Sequence, residues 1–249
     1  MRDGLNYEPV NVEVQSHGVG VVGNALWEDG ASPRLRLGTT NVTVPNAANQ
    51  FRDAAFDSTI LINGYSKSVT HRLIGGLSHA PGSCLALSPE GAELDAALAD
   101  FFALALTLPP DAESSSPRYI GSWFHNIPTG LRPHAYTADR TFPYTFPDLN
   151  TLPASSPVQS QVLANTLYTL LWNFLPKKGN IAEIKPQWVD AMRVKVPVGG
   201  RNYVVRLVTE ALKMMPYIKG WLELRDAMVD VEYNWTAGQN LCEIWRAWA

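Results

Sequence analysis

Two histidines and a cysteine fall in one short stretch, Thr70-His71-Arg72 followed by Ser78-His79-Ala80-Pro81-Gly82-Ser83-Cys84. A cysteine nucleophile needs a histidine within hydrogen-bond reach to generate thiolate, and a glycine-rich approach can offer backbone amides to an oxyanion. The same side chains could bind a metal, as His71, His79 and Cys84 or as His125 with His134. Neither spacing matches H-E-x-x-H or paired C-x-x-C, so no metal and no cofactor is expected. G-x-x-x-x-G-K-[ST] and G-x-S-x-G are absent. The carboxylates at Glu28-Asp29 and Glu93-Asp95 read as solvated charges and helix caps.

Gly82-Ser83-Cys84 resembles the nucleophile turn of viral chymotrypsin-like cysteine proteases, which implies a hydrolase using Cys84 with His71 or His79. Leu85 stands where those proteases place glycine, and only His17 lies far upstream, where their histidine belongs. The residues themselves therefore favour a loop with Cys84 packed inside, and no catalytic residue is assigned.

The elements that would hold these residues begin with a β-rich region, residues 1–80. Val10, Val12 and Val14 alternate with polar residues at the period of a half-buried strand. Val19 to Val22, Leu35 with Leu37, and Val42 with Val44 continue the pattern. Thr59 to Ile62 and Tyr65 to Ile74, joined by Asn63-Gly64, read as a hairpin. An antiparallel layer follows. A helix over 88–108 is signalled by Ser88 as cap, Pro89 at the first position and a stripe of Leu94, Leu98, Phe101, Phe102 and Ala105. A second begins at Ser156-Pro157 and carries Val158, Val162, Leu163, Leu167, Leu170, Leu171 and Phe174. The region 157–249 is mixed and mainly helical. Pro186 to Arg193 reads as a short helix, Val194 to Val198 and Tyr203 to Val208 as strands, and Trp221 to Asp230 and Asn240 to Trp248 as helices. The whole, residues 1–249, is expected to be one α+β domain.

Residues 109–156 have neither period, yet they are rich in rings. Proline blocks ladder pairing there, while the aromatics supply apolar area worth about 25 cal/mol per Å² when buried. Such a segment orders only on a surface made elsewhere, as a long loop on its own chain or an arm on a neighbour. Trp123, Phe124, Tyr136, Phe142, Tyr144 and Phe146, with Trp245 and Trp248 at the C-terminus, are the expected interface residues.

Charged residues make up only 17% of the 249, and the net charge is −3, so nothing repels a second copy strongly and no basic patch suits nucleic acid. Two distant cysteines read as buried free thiols. The N-terminus lacks the apolar run of a signal peptide and no segment suits a membrane span. Low charge, neutral polar residues and extended proline-rich segments have the texture of a viral capsid or capsid-decorating subunit. The sequence thus favours a structural, self-assembling protein rather than an enzyme, in a virion or the cytoplasm, with its own copies or another shell protein as partner. A Cys84 hydrolase and a protein-binding module are the alternatives.

Overall fold

The computed structural model describes residues 10–17, 25–28, 33–43, 49–74, 85, 88–139, 141–153, 157–179, 188–191, 194–215 and 220–249. Val19 to Val22, His79, Cys84 and the cap at Ser156 lie outside them.

The Ser88 hydroxyl accepts from the Gly91 amide at 3.0 Å. Pro89 then fits the first turn, and α2 runs Pro89–Leu106. Its whole apolar stripe is buried, and Ala97, Ala99, Ala103 and Leu104 are buried beside it, because α2 is covered on more than one side. α4, Pro157–Lys178, supplies one of those covers, burying Leu163, Leu167, Leu170, Leu171 and Phe174 in the same core. Gly179, at φ +77°, receives the chain where α4 ends.

The expected hairpin at 59–74 is instead a helix, α1, Ser58–Leu73. Asp57 caps it, accepting from the amides of Thr59 at 3.0 Å and Ile60 at 3.4 Å. Its buried residues are Ile60, Gly64, Ser66, Ser68 and Thr70, so the buried side is carried mostly by small and hydroxyl side chains and does not appear as a hydrophobic stripe. Gly64 is required by close approach. A Cβ there would stand 2.9 Å from both Ala25 Cβ and Leu35 Cδ1, so α1 lies flat on the sheet.

That sheet contains β1 (Asn11–Ser16), β2 (Ala25–Glu28), β3 (Arg34–Val42) and β4 (Gln50–Asp53). β3 is central. It pairs antiparallel with β2 and β4 but parallel with β1, Asn11 opposite Arg34. The layer is therefore mixed rather than antiparallel: β2 separates β1 from β3 in sequence, and two reversals of direction bring β1 and β3 into parallel. Leu35 and Leu37 enter the core, whereas Val12 and Val14 are more than half exposed; among the described strands β1 lies at the edge of the sheet.

In the C-terminal part, β5 (Trp188–Ala191) pairs antiparallel with β6 (Val194–Pro197). Of the helix expected over Pro186 to Arg193, the described residues Trp188–Ala191 form instead the strand that pairs with β6. The strand expected over Tyr203 to Val208 belongs to α5, Gly200–Met214, whose buried residues Tyr203, Val204, Leu207, Val208, Ala211 and Leu212 recur at helical spacing. Its valines favour strand locally, but burial at that period decides. α6 (Trp221–Thr236) and α7 (Leu241–Ala247) complete the α+β architecture. Glu232, fully buried in α6, accepts from Tyr203 Oη at 2.5 Å, Thr236 Oγ1 at 2.5 Å and Asn240 Nδ2 at 2.6 Å. Burial and the Glu232 carboxylate push the Tyr203 phenol far up, so it remains a donor.

Removing the α2 cap should cost about 1 kcal/mol. Urea unfolding of Ser88→Ala should show a lower midpoint at an unchanged slope.

Candidate functional site

Asp100 lies in α2 between Ala99 and Phe101 with its side chain fully buried. A lone carboxylate there would be prohibitive, and the surroundings supply partners on every side. Arg132 Nε donates to Oδ2 at 2.6 Å and Arg132 Nη2 to Oδ1 at 3.0 Å. Asn63 Nδ2, from α1, donates to Oδ1 at 2.7 Å, and the Tyr136 hydroxyl donates to Oδ2. Burial alone would lower the Arg132 pKa, but the Asp100 charge outweighs it and holds the guanidinium ionised. Burial, then Asp100, pushes the Tyr136 phenol well above its ordinary value. This is a buried ion pair with a neutral donor attached.

Five residues earlier on α2, Asp95 faces α1. His71 Nε2 lies 3.2 Å from its Oδ1, Thr70 Oγ1 donates to Oδ1 at 3.1 Å, and Lys67 Nζ stands 3.7 Å from Oδ2. Burial would raise the Asp95 carboxyl. The His71 hydrogen bond, the Lys67 charge and the Thr70 hydroxyl prevail, and hold it below the usual aspartate range. Two carboxylates of α2 thus tie α1 alongside it, one through Asn63 and one through Lys67, Thr70 and His71.

The aromatic segment carries Arg132 and Tyr136 to this place. Arg118 and Tyr136 exchange backbone hydrogen bonds of 2.9 Å. Gly121, at φ +72°, turns the chain into α3, Ser122–His125, and its amide donates to Thr59 Oγ1 at 2.9 Å. The Phe124 amide donates to Asp57 Oδ2 at 3.2 Å, so the residue that caps α1 also anchors the segment. Farther on, His134, Phe142 and Tyr144 form a ring cluster, and Phe146 meets Trp221 and Trp248.

The segment is therefore a long loop on its own chain. Of the expected interface residues, Phe124, Tyr136, Phe142 and Trp248 are buried inside this chain, and Tyr144 and Phe146 are half-buried. Trp123 and Trp245 remain about half exposed, each under a guanidinium, Arg52 at 5.1 Å and Arg225 at 4.6 Å. His125 packs on Phe124, with centroids 4.8 Å apart and its Nε2 buried without a hydrogen-bond partner, and His134 packs on its ring cluster. Cys242 is exposed, contrary to the expected packed thiol. Asp95, read as solvated, is an interhelical anchor. Asp100, Arg132, Asn63 and Lys67 escaped notice as site residues. The available signal was Asp100 itself, a charge in the midst of the stripe Leu98-Ala99-Asp100-Phe101-Phe102.

Beside this core runs a groove of about 720 Å³. Glu90, Phe146, Leu149, Asn150, Gln159 and Trp221 line it, an apolar floor with amide and carboxylate edges. A second hollow of about 620 Å³ shares Phe146.

The model of the family described as Fungalysin metallopeptidase (M36) matches residues 2–249. Extracellular metalloproteinase 4 of Trichophyton soudanense and that of Trichophyton violaceum are each 32% identical over 235 residues, 93% of this chain and 57% of theirs. The protein of the same name from Trichophyton rubrum is 32% identical over 235 residues, with 34% of its length covered. The chain thus spans about a third to just over half of the curated relatives it matches.

These matches overturn the capsid or shell subunit, the protein-binding module and the non-enzymatic reading, since the family is one of enzymes. The family, one of metallopeptidases, equally displaces the Cys84 hydrolase with His71 or His79 as base; His71 pairs with Asp95, and His79 and Cys84 lie outside the described residues. The not-secreted expectation conflicts with relatives named extracellular and is withdrawn. Composition misled because the proline and ring content belongs to an internally packed loop, and the sparse charge is partly spent inside.

Arg132→Met leaves Asp100 buried and uncompensated, so urea unfolding should show a loss of about 3–5 kcal/mol. Tyr136→Phe should cost only about 1–2 kcal/mol, since the ion pair stays. Because the Asp95 carboxyl is lowered in the fold, its contribution is present above about pH 3.9 and disappears as pH falls through the folded value. Asp95→Asn should therefore be less stable than the wild type at neutral pH, with the gap closing on acidification.

Proposed function

The chain belongs to the fungalysin metallopeptidase family (M36), and on that premise we propose that it serves proteolysis outside the cell, with polypeptide as its substrate class. The observation that carries the reading is the family match across nearly the whole chain, supported by relatives named as extracellular metalloproteinases. The groove beside Trp221 and Phe146 suits the ligand: rings for side chains, and the amide oxygens of Asn150 and Gln159 for a peptide backbone, their nitrogens donating to the carbonyls of Pro147 and of Leu152 and Pro153. Trp221 and Phe146 hold each other edge to face at 6.4 Å, which fixes the apolar wall without a ligand.

The family description implies a metal ion, and the residues present do not fit one. A zinc peptidase of the H-E-x-x-H type needs two histidines four apart on a helix and a third protein ligand. The five histidines stand at 17, 71, 79, 125 and 134, and no two of them are four apart. Among the described residues no three His, Cys, Asp or Glu side chains converge as a ligand set. The bond-breaking step is therefore not assigned to a metal here.

Titrating the chain into fluorescein-labelled, carboxymethylated casein, with anisotropy for binding and gels for cleavage, tests the proposal. Saturable binding or cleavage is expected, and absence of both contradicts it. Trp221→Ala, with its circular dichroism unchanged, should weaken binding by roughly 5- to 30-fold, as loss of an aromatic anchor does.

A further inference from the structure

The helix pair that carries both interior carboxylates is built in a form that resembles half of a metal site. Asp95 and His71 are in contact across the interface at 3.2 Å, and His71 Nδ1 is buried without a hydrogen-bond partner. Two donors of the kind zinc takes are thus in place. The third member of the cluster is a cation: Lys67, one turn before His71 on α1, holds its ammonium 3.7 Å from Asp95 Oδ2. An ammonium has three donor hydrogens and no lone pair, so it satisfies a carboxylate as a metal does and cannot ligate one.

The same substitution of charge recurs at the next carboxylate. Both oxygens of Asp100 are taken by Arg132, and Asn63 and Tyr136 fill its remaining acceptor positions. Asn63 and Lys67 are themselves four apart on α1, the spacing that places two side chains on one helix face. They present an amide to Asp100 and an ammonium to Asp95 where a metal-binding helix would present two imidazoles. Position 64 between them is the glycine where an added Cβ would stand 2.9 Å from Ala25 Cβ and Leu35 Cδ1, which leaves no space for a glutamate.

We propose that in this chain Lys67 and Arg132 occupy the role of the bound metal ion, so that α1 and α2 are joined by the protein's own cations and the fold is zinc-independent. Each helix carboxylate then has a tethered countercharge that dialysis cannot remove. The inference stands on the α1–α2 contacts and does not require the groove to bind polypeptide.

Zinc content and thermal unfolding of the whole chain test this. After purification with one equivalent of zinc and desalting, mass spectrometry of the metal should find well under 0.1 zinc per chain. The melting temperature should be the same with zinc and with EDTA. About one zinc retained per chain, with a melting temperature that falls in EDTA, would overturn the proposal wherever that zinc sits, His79 and Cys84 included. Lys67→His places an imidazole one turn from His71 beside Asp95, completing a three-donor set. That variant should melt several degrees higher with zinc than with EDTA. A Lys67→His variant as indifferent to zinc as the wild type would contradict the assignment of Lys67 to the cation's place.

Discussion

A carboxylate with no access to water sits among the buried apolar residues of α2, and the surrounding structure is arranged to answer it. Asp100 is carried by α2, but its partners come from α1 and from the aromatic loop, through Asn63, Arg132 and Tyr136. Bringing those three side chains to one point fixes how α1 crosses α2 and where the loop lies. A buried pair of this kind adds little net stability over a well-packed apolar substitute, since desolvation offsets most of the attraction. What it supplies is selection: any other placement of the loop leaves Asp100 charged and alone.

The loop shows the consequence. Residues 117–150 have almost no ladder pairing of their own beyond the Arg118–Tyr136 bridge, and their order is borrowed from fixed points. Asp57 holds the Phe124 amide while capping α1, and Asp100 holds Arg132 and Tyr136. At the first anchor and just before it, Phe124 and Ile120 are packed into the core. Beyond them, Phe146 reaches Trp221 and forms the groove wall. The proposed substrate-binding surface is therefore positioned at second hand by an interaction in the interior, which links the stability of the α1–α2 pair to the shape available to a polypeptide.

The sequence was most legible where one residue type carries the signal alone. Ser88 and Pro89 opened α2, and its stripe and that of α4 were visible as spacing. The class, α+β, followed from those elements. Legibility failed at α1, because Gly64 and Ser68 occupy the buried face and the asparagine-glycine pair imitates a hairpin turn. It failed at α5, where valines on a buried helix look like a strand. The site was hidden for a different reason. Asp100 and Arg132 are 32 residues apart, and only the fold tells that a loop arginine answers a helix aspartate. The family was equally invisible: H-E-x-x-H is the signature a reader would seek for a zinc peptidase, and this chain has no histidine pair at that spacing.

The central claim is that the Asp100 ion pair orders the loop and the α1–α2 crossing together. Amide hydrogen exchange of Asp100→Asn against the wild type measures this most directly. The account predicts that amides of 118–136 and of α1 lose protection together, while those of α6 and α7 keep theirs. Loss confined to α2, or a loop whose protection is unchanged, would contradict it.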